Sequence, residues 1–255
     1  MSWSATQYLA FENERTRPVR DLLAAVPTAD VARAVDLGCG PGNSTEVLAA
    51  RYPGASVSAL DTSPDMLEAA RKRLPHLRFA QQAIEDWDDP GPFDVILANA
   101  VLQWLPDHEH LFPRLIGKLR GGGSLAVQMP DNLDEPAHAL MRDVATSGPW
   151  RVKLAGVVSR RAPRRPPSWY HDALRRTCST LDIWRTTYHH ALPDAAAVVE
   201  WFKGSGLRPF LDALDAGERT EYLARYQTAI AQAYPAHEDG VVLLPFPRLF
   251  IVATR

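Results

Sequence analysis

The 255-residue sequence predicts an α/β fold, a doubly wound and mostly parallel sheet with helices against both faces. Three observations carry that expectation. Between Ala34 and Leu119, short apolar runs of strand length alternate with segments whose apolar residues recur at helical spacing. One run, Phe93-Asp94-Val95-Ile96-Leu97-Ala98-Asn99-Ala100, lacks polar alternation, as expected for a strand covered on both faces. The first run, Ala34 to Leu37, stops at Gly38-Cys39-Gly40-Pro41-Gly42, a glycine-rich turn that delivers the chain into a helix from about Ser44 to Arg51.

In chain order, Trp3 to Ala25 carries a loose helical stripe, Tyr8, Leu9, Phe11, Val19, Leu22 and Leu23, interrupted by Pro18. After the first strand and helix, Ala55 to Asp61 alternates as a second strand. Ser63 then caps a helix with Pro64 in its first turn and Leu67, Ala70 and Leu74 as its buried stripe. The third strand is short, about Leu77 to Ala80. Beyond the fourth strand, Asp107 caps a helix burying Leu111, Leu115 and Leu119. Gly121-Gly122-Gly123 reads as a turn into a fifth strand, Ser124 to Gln128. There the regular alternation lapses. Leu133 to Val144 is helical up to a break at Gly148-Pro149, and Leu181 to Leu192 reads as a sixth strand. Asp194 caps a helix from Ala195 to Lys203, Leu223 to Tyr234 marks another, and Phe246 to Ala253 reads as the last strand.

Composition narrows the function classes. A hydrophobic fraction of 46% is enough for a substantial core, and a formal charge of −2 provides no overall basic field for nucleic acid. Two cysteines, Cys39 and Cys178, make neither a disulfide framework nor a zinc site. The adjacent His189 and His190 fall on opposite faces of a strand, so no metal is expected. The amino terminus, Met1-Ser2-Trp3-Ser4, has neither a basic nor an apolar leader region, and no run approaches membrane-spanning length, which predicts a cytoplasmic protein with no membrane partner.

The glycine turn points to the chemistry. Its spacing, from Asp36 to Gly42, is acid-x-G-x-G-x-G; a dinucleotide fingerprint would need a glycine where Asn43 stands. Glycines allow positive φ and let a ligand approach bare backbone, and the helix behind them directs free N–H groups at the same place. Asp61 closes the second strand about 20 residues beyond, where a carboxylate can accept both hydroxyls of a ribose. This pattern resembles motif I of the class I S-adenosylmethionine-dependent methyltransferases. The resemblance implies a Rossmann-like, seven-stranded sheet with one antiparallel strand, and S-adenosyl-L-methionine as cofactor. It implies cofactor contacts from Asp36, Gly38, Cys39, Gly40, Asp61, Thr62, Met66, Asn99 and Ala100, with Tyr8 and Arg15 of the leading helix at the methionine end. The acid usual for the adenine amino group would fall at Ala83, so Ile84 and Glu85, with Asp86 beside them, are the remaining candidates there.

Three further blocks narrow the resemblance. Ala98 to His108, Leu125 to Pro136, and Trp201-Phe202-Lys203-Gly204-Ser205-Gly206-Leu207-Arg208-Pro209 resemble the trans-aconitate 2-methyltransferases, and the likeness of the chain to them runs nearly end to end. The first block is also similar to malonyl-acyl-carrier-protein methyltransferases. The implied reaction is methyl transfer to one carboxylate of a small tricarboxylic acid, with Trp104, Trp201, Lys203, Gly204, Arg208 and Arg248 as substrate-side candidates. The alternatives are another small acid, a malonyl-acyl-carrier protein, or a domain that binds the cofactor without catalysis. Because a carboxylate is already ionised at pH 7, no general base and hence no catalytic residue in that sense is expected.

The expected organisation is a single methyltransferase domain, residues 1–255: an N-terminal helical cover (1–27), a cofactor-binding core (28–132), a helical and basic cap insertion (133–180), and the remainder of the sheet with substrate-side helices (181–255). From Arg151 to Arg176 there are eight Lys or Arg against the single acid Asp172, a segment able to attract a trianionic substrate.

Overall fold

The computed structural model describes residues 12–159 and 165–255. Seven strands form one sheet in the order β3-β2-β1-β4-β5-β7-β6. They are β1 (Arg33–Leu37), β2 (Ser56–Asp61), β3 (Arg78–Gln81), β4 (Phe93–Asn99), β5 (Leu119–Pro130), β6 (Thr180–Leu192) and β7 (Val242–Thr254). β1 pairs in parallel with β2 and β4, β3 with β2, and β5 with β4, whereas β7 runs antiparallel to β5. The mostly parallel sheet with an antiparallel strand inserted between β5 and β6 is the expected architecture.

The helices are α1 (Glu12–Ala24), α2 (Asn43–Arg51), α3 (Pro64–Arg73), α4 (His108–Gly117), α5 (Pro136–Ser147), α6 (Arg151–Ser159), α7 (Pro167–Leu174), α8 (Ala195–Lys203), α9 (Arg208–Asp212) and α10 (Ala216–Ala233). The chain divides into two compact units. The first comprises residues up to Pro130, Arg165–Thr186 and Arg248–Arg255; the second comprises Asp131–Arg164 and Thr187–Pro247. β6 and β7 each pass from one unit into the other along their length.

In the first unit, one face of the sheet (Val35, Leu37, Leu60, Ile96, Leu125, Val127) packs on Leu111, Phe112, Leu115 and Ile116 of α4 and on Tyr170 and Leu174 of α7. Asp94 braces the opposite end of the strands. It accepts the backbone N–H of Ala32 and Arg33 at 2.8 and 2.7 Å and pairs with Arg120. Burial pushes its carboxyl up, but the Arg33 N–H, the Arg120 guanidinium and the Ala32 N–H outweigh it and hold the pKa below the ordinary value. In the second unit, Tyr222, Tyr226 and Ile230 form the buried stripe of α10, and the hydroxyls of Tyr222 and Tyr226 donate to the carbonyls of Met141 and Ala137 on α5 at 2.8 and 3.0 Å.

Several local expectations need correction. Leu119 does not belong to the helix capped by Asp107, which ends at Gly117, but opens β5. Gly121 to Gly123 is not a turn ahead of β5 but lies within the strand, at a register shift between the Phe93–Leu119 and Val95–Ser124 pairs. The extra residues bulge, and Gly122 takes φ +77, which glycine adopts without strain. Pro18 does not interrupt the first helix. α1 continues through it to Ala24, because burying Val19, Leu22 and Leu23 outweighs the one backbone hydrogen bond that proline removes. The N-terminal half of the expected leading helix, including Tyr8, lies outside the described residues. No helix among the described residues is long and apolar enough to cross a membrane.

Candidate active site

The glycine turn between β1 and α2 assigns a different task to each glycine. A Cβ on Gly38 would overlap the Val101 side chain, and one on Gly42 would press on Ala70 at 3.3 Å. Both are therefore close-packing positions. A Cβ on Gly40 would meet nothing within 4 Å, and its φ is +54. Gly40 is thus the glycine that borders open space, its N–H donating to Asp61 Oδ2 at 2.9 Å. The other Asp61 oxygen accepts the N–H of Ser63, also at 2.9 Å, at the start of α3. The carboxylate still has capacity on both oxygens for further donors.

Asp36, on β1, is fully buried. Its Oδ2 accepts the hydroxyls of Ser44 and Thr45, both at 2.7 Å, while Oδ1 has no hydrogen-bond partner among the described residues. Burial raises its pKa from 3.8 to about 6; the Ser44 and Thr45 hydroxyls pull it down and the charge of Asp61 pushes it up. Cys39 lies beside it, its thiol donating to the Gly40 carbonyl at 3.6 Å, and burial, then Asp36 and Asp61, keep that thiol protonated. Asn99 closes β4, again with a buried side-chain oxygen, Oδ1, that lacks a partner. Ala100 follows with φ +54, the only non-glycine of positive φ among the described residues. Its N–H donates to the Gln128 carbonyl at 2.8 Å and its carbonyl accepts Gln103 Nε2 at 2.6 Å, bonds that hold it in the left-handed region.

These features fit S-adenosylmethionine. The open space before Gly40 would admit a ligand against bare backbone. The orphaned oxygens of Asp36 and Asn99 suit an α-ammonium, and the spare lone pairs of Asp61 suit ribose hydroxyls.

The other expected residues fall as follows. Thr62 is exposed and Met66 is buried on α3. Ile84 is buried in the main core and Glu85 is exposed, and their carbonyls accept Arg114 Nη2 and Nη1 at 2.6 and 2.7 Å. Arg114 thereby fixes the loop after β3, a role the sequence reading missed because a lone basic residue on an amphipathic helix resembles a solvated face. Arg15 lies in α1, but its side chain is outside the described set. Trp104 ends a 3₁₀ turn, Leu102–Trp104, with its side chain 55% exposed. That turn is pinned by His108, whose Nε2 donates to the Leu102 carbonyl at 2.8 Å. Its Nδ1 is hydrogen-bonded to the Tyr170 hydroxyl at 2.7 Å, so both ring nitrogens are engaged. Arg248 is buried on β7 and donates from Nη1 to Gln128 Oε1 at 3.0 Å.

In the second unit, Trp201 is buried and stacks on His190 with centroids 4.6 Å apart. Lys203 pairs with Glu200, Gly204 caps α8, and Arg208 lies 3.6 Å from Asp212. Part of the basic segment is also neutralised: Lys153 pairs with Glu218 at 2.6 Å and Arg175 with Asp172 at 3.7 Å. Among the described residues, no group of three or more His, Cys, Asp or Glu could hold a metal ion.

Comparison with known proteins agrees with this geometry. The family described as "Methyltransferase domain" matches residues 34–123, the stretch from β1 into β5. Among solved structures, the YcgJ protein of a Bacillus superposes with a TM-score of 0.61 at 12% identity, covering 94% of this chain and 98% of that one, a likeness of fold. The fold and the turn thus define a class I methyltransferase. Over 253 residues, 99% of each chain, the sequence is 57% identical to trans-aconitate 2-methyltransferase of Afipia carboxidovorans. It is 54% identical over 255 residues to the enzyme of the same name from Rhizobium meliloti, covering 100% of this chain and 99% of that one. The chain belongs to the trans-aconitate 2-methyltransferase family.

Proposed function

We propose that this protein esterifies one carboxylate of trans-aconitate with the methyl group of S-adenosylmethionine, giving the monomethyl ester and S-adenosylhomocysteine, and that it does so in the cytoplasm. The observation that carries this reading is the full-length similarity to enzymes of that name, joined to a glycine turn whose open side and orphaned acceptors fit the cofactor.

The cofactor, when bound, supplies a methyl on a positively charged sulfur, and its transfer to a carboxylate oxygen leaves a neutral thioether. The chain's own residues do the positioning. The Gly38–Gly40 backbone, Asp36 and Asp61 would hold the amino-acid and ribose portions, with Cys39, Thr62, Met66, Asn99 and Ala100 around them and Ile84 and Glu85 toward the adenine. Trp104 and Arg248 are the substrate-side candidates of the first unit. Trp201, Lys203, Gly204 and Arg208 are those of the second. No side chain has to remove a proton, since the acceptor is already anionic at neutral pH. Orientation in a site shielded from water can supply several of the roughly 7–11 kcal/mol available from proximity.

The test is transfer of labelled methyl from the cofactor to a panel comprising trans-aconitate, other small di- and tricarboxylic acids, and malonyl-acyl-carrier protein. Trans-aconitate should have the highest kcat/KM. Turnover of another acid at higher kcat/KM would replace the substrate, and cofactor binding with no turnover on any acceptor would make the chain a binding module.

A further inference from the structure

β4 pairs Asn99 with Gln128, and β7 pairs Phe250 with Gln128, so the three stand in one row across the sheet. Arg248 precedes Phe250 by two residues and shares its face, one step nearer the end of β5 where it opposes Pro130. Gln128 is wholly buried and Arg248 is 4% exposed. Arg248 Nη1 donates to Gln128 Oε1 at 3.0 Å. A guanidinium has no acceptor, so this bond settles which end of the amide faces it, and Nε2 is necessarily the other atom. Nε2 is a buried donor with no hydrogen-bond partner among the described residues. A donor so placed beside a fixed cation is a half-built anion site, because a carboxylate gains charge-assisted bonds there.

The neighbouring Asn99 has the opposite polarity. Its buried unpartnered atom is the acceptor Oδ1, suited to a cation rather than an anion. The row therefore changes preference between β4 and β5, with an acceptor on the side of β1 and donors on the side of β7.

We propose that Gln128 and Arg248 form a carboxylate subsite, in which Gln128 Nε2 and the Arg248 guanidinium receive one carboxylate of the acid substrate while Gln128 Oε1 holds Arg248 in place. The proposal rests on the reading of the acceptor as a polycarboxylate, and it adds Gln128 to the residues that bind it. The substrate's other carboxylate, the one methylated, is then oriented by the grip on its partner.

The test uses the full chain saturated with S-adenosylhomocysteine and titrated calorimetrically with trans-aconitate and with propane-1,2,3-tricarboxylate, alongside kcat and KM for methyl transfer. Gln128→Glu keeps the size and the bond to Arg248 but replaces the donor with a second carboxylate. Gln128→Met keeps the volume without either polar group, and Arg248→Lys keeps the charge without the fork. Each should weaken acid binding and raise KM by about tenfold or more, Gln128→Glu most, with S-adenosylhomocysteine affinity within about twofold of wild type. Unchanged S-adenosylhomocysteine affinity also reports that a variant is folded. Wild-type acid affinity in Gln128→Met and Arg248→Lys would overturn the subsite, as would a wild-type protein that binds neither acid. Binding of both acids without methyl transfer would instead overturn the proposed reaction, and the subsite would stand or fall on the variants' affinities alone.

Discussion

The ends of β1 and β5 are made from the same part, a polar side chain buried in an apolar strand, but they acquire their partners differently. Asp36 on β1 is served by Ser44 and Thr45, eight and nine residues ahead, through one turn of chain. Gln128 on β5 is served by Arg248, 120 residues away, through the register of an antiparallel pair. The first arrangement is a spacing and can be read as a motif. The second is a meeting of strands, and no spacing in the sequence encodes it. The lesson is that legibility differs within one sheet: the partners of Asp36 are written locally, whereas the partner of Gln128 is supplied by topology.

The largest effect that would break this contrast concerns two glycines of one turn. Gly40→Val should abolish S-adenosylmethionine binding measured by calorimetry, since the side chain would enter the open space and a β-branched residue is strained at positive φ. Gly38→Ala should instead lower the melting temperature, because its methyl would overlap Val101. Identical phenotypes for the two would remove the distinction between ligand-facing and packing glycines.

The next effect is a pH dependence set by Asp36. Its folded pKa of about 6 lies above the ordinary 3.8, so its contribution to stability is fully present below the lower value and is lost as pH rises through the upper one. In the cofactor-free protein, Asp36→Asn should gain on wild type by about 2 kcal/mol between pH 4 and pH 8, read from denaturant unfolding. Cofactor affinity of the wild type should rise over the same window, since a cation favours the ionised carboxylate. A stability gap between variant and wild type that does not move with pH would mean the charge is not desolvated.

Asp61→Ala should weaken cofactor binding by one to two orders of magnitude, the loss of a charged acceptor contributing about 1.5–3 kcal/mol, with kcat at saturation less affected. An unaltered dissociation constant would leave Asp61 as a brace for the Gly40 and Ser63 amides alone. In the second unit, Lys203→Ala or Arg208→Lys should raise KM for trans-aconitate about fivefold while sparing cofactor affinity, a modest effect because both cations sit close to local acids. If both leave KM untouched, acid recognition would rest on the β5–β7 pair. The smallest effect is at Ala100, where glycine should relieve about 1 kcal/mol of left-handed strain and raise the melting temperature slightly. A drop would show that the alanine methyl packs usefully enough to outweigh the strain.

Much of the fold was legible because its signals are local. Ser63 and Asp194 cap the helices assigned to them, each accepting an N–H three residues on, and β4, which lacks polar alternation, is buried from Phe93 to Ala98. Signals that depend on a partner strand were misread. Three consecutive glycines resemble a turn, and only pairing with β4 reveals a bulge inside β5. The role of His108 has no local sign either; its two ring bonds, to Leu102 and Tyr170, make it a strut.

By itself, the sequence determined the class of fold, the glycine turn and the family, since strand and helix periods, caps and glycine spacing are set by nearest neighbours along the chain. Only the tertiary structure decided which glycine faces open space, which oxygen of Asp36 is left without a donor, and that Gln128 and Arg248 meet across 120 residues. Those outcomes depend on sheet register and on the desolvation of polar atoms by distant parts of the chain, and neither is a property of any local stretch of residues.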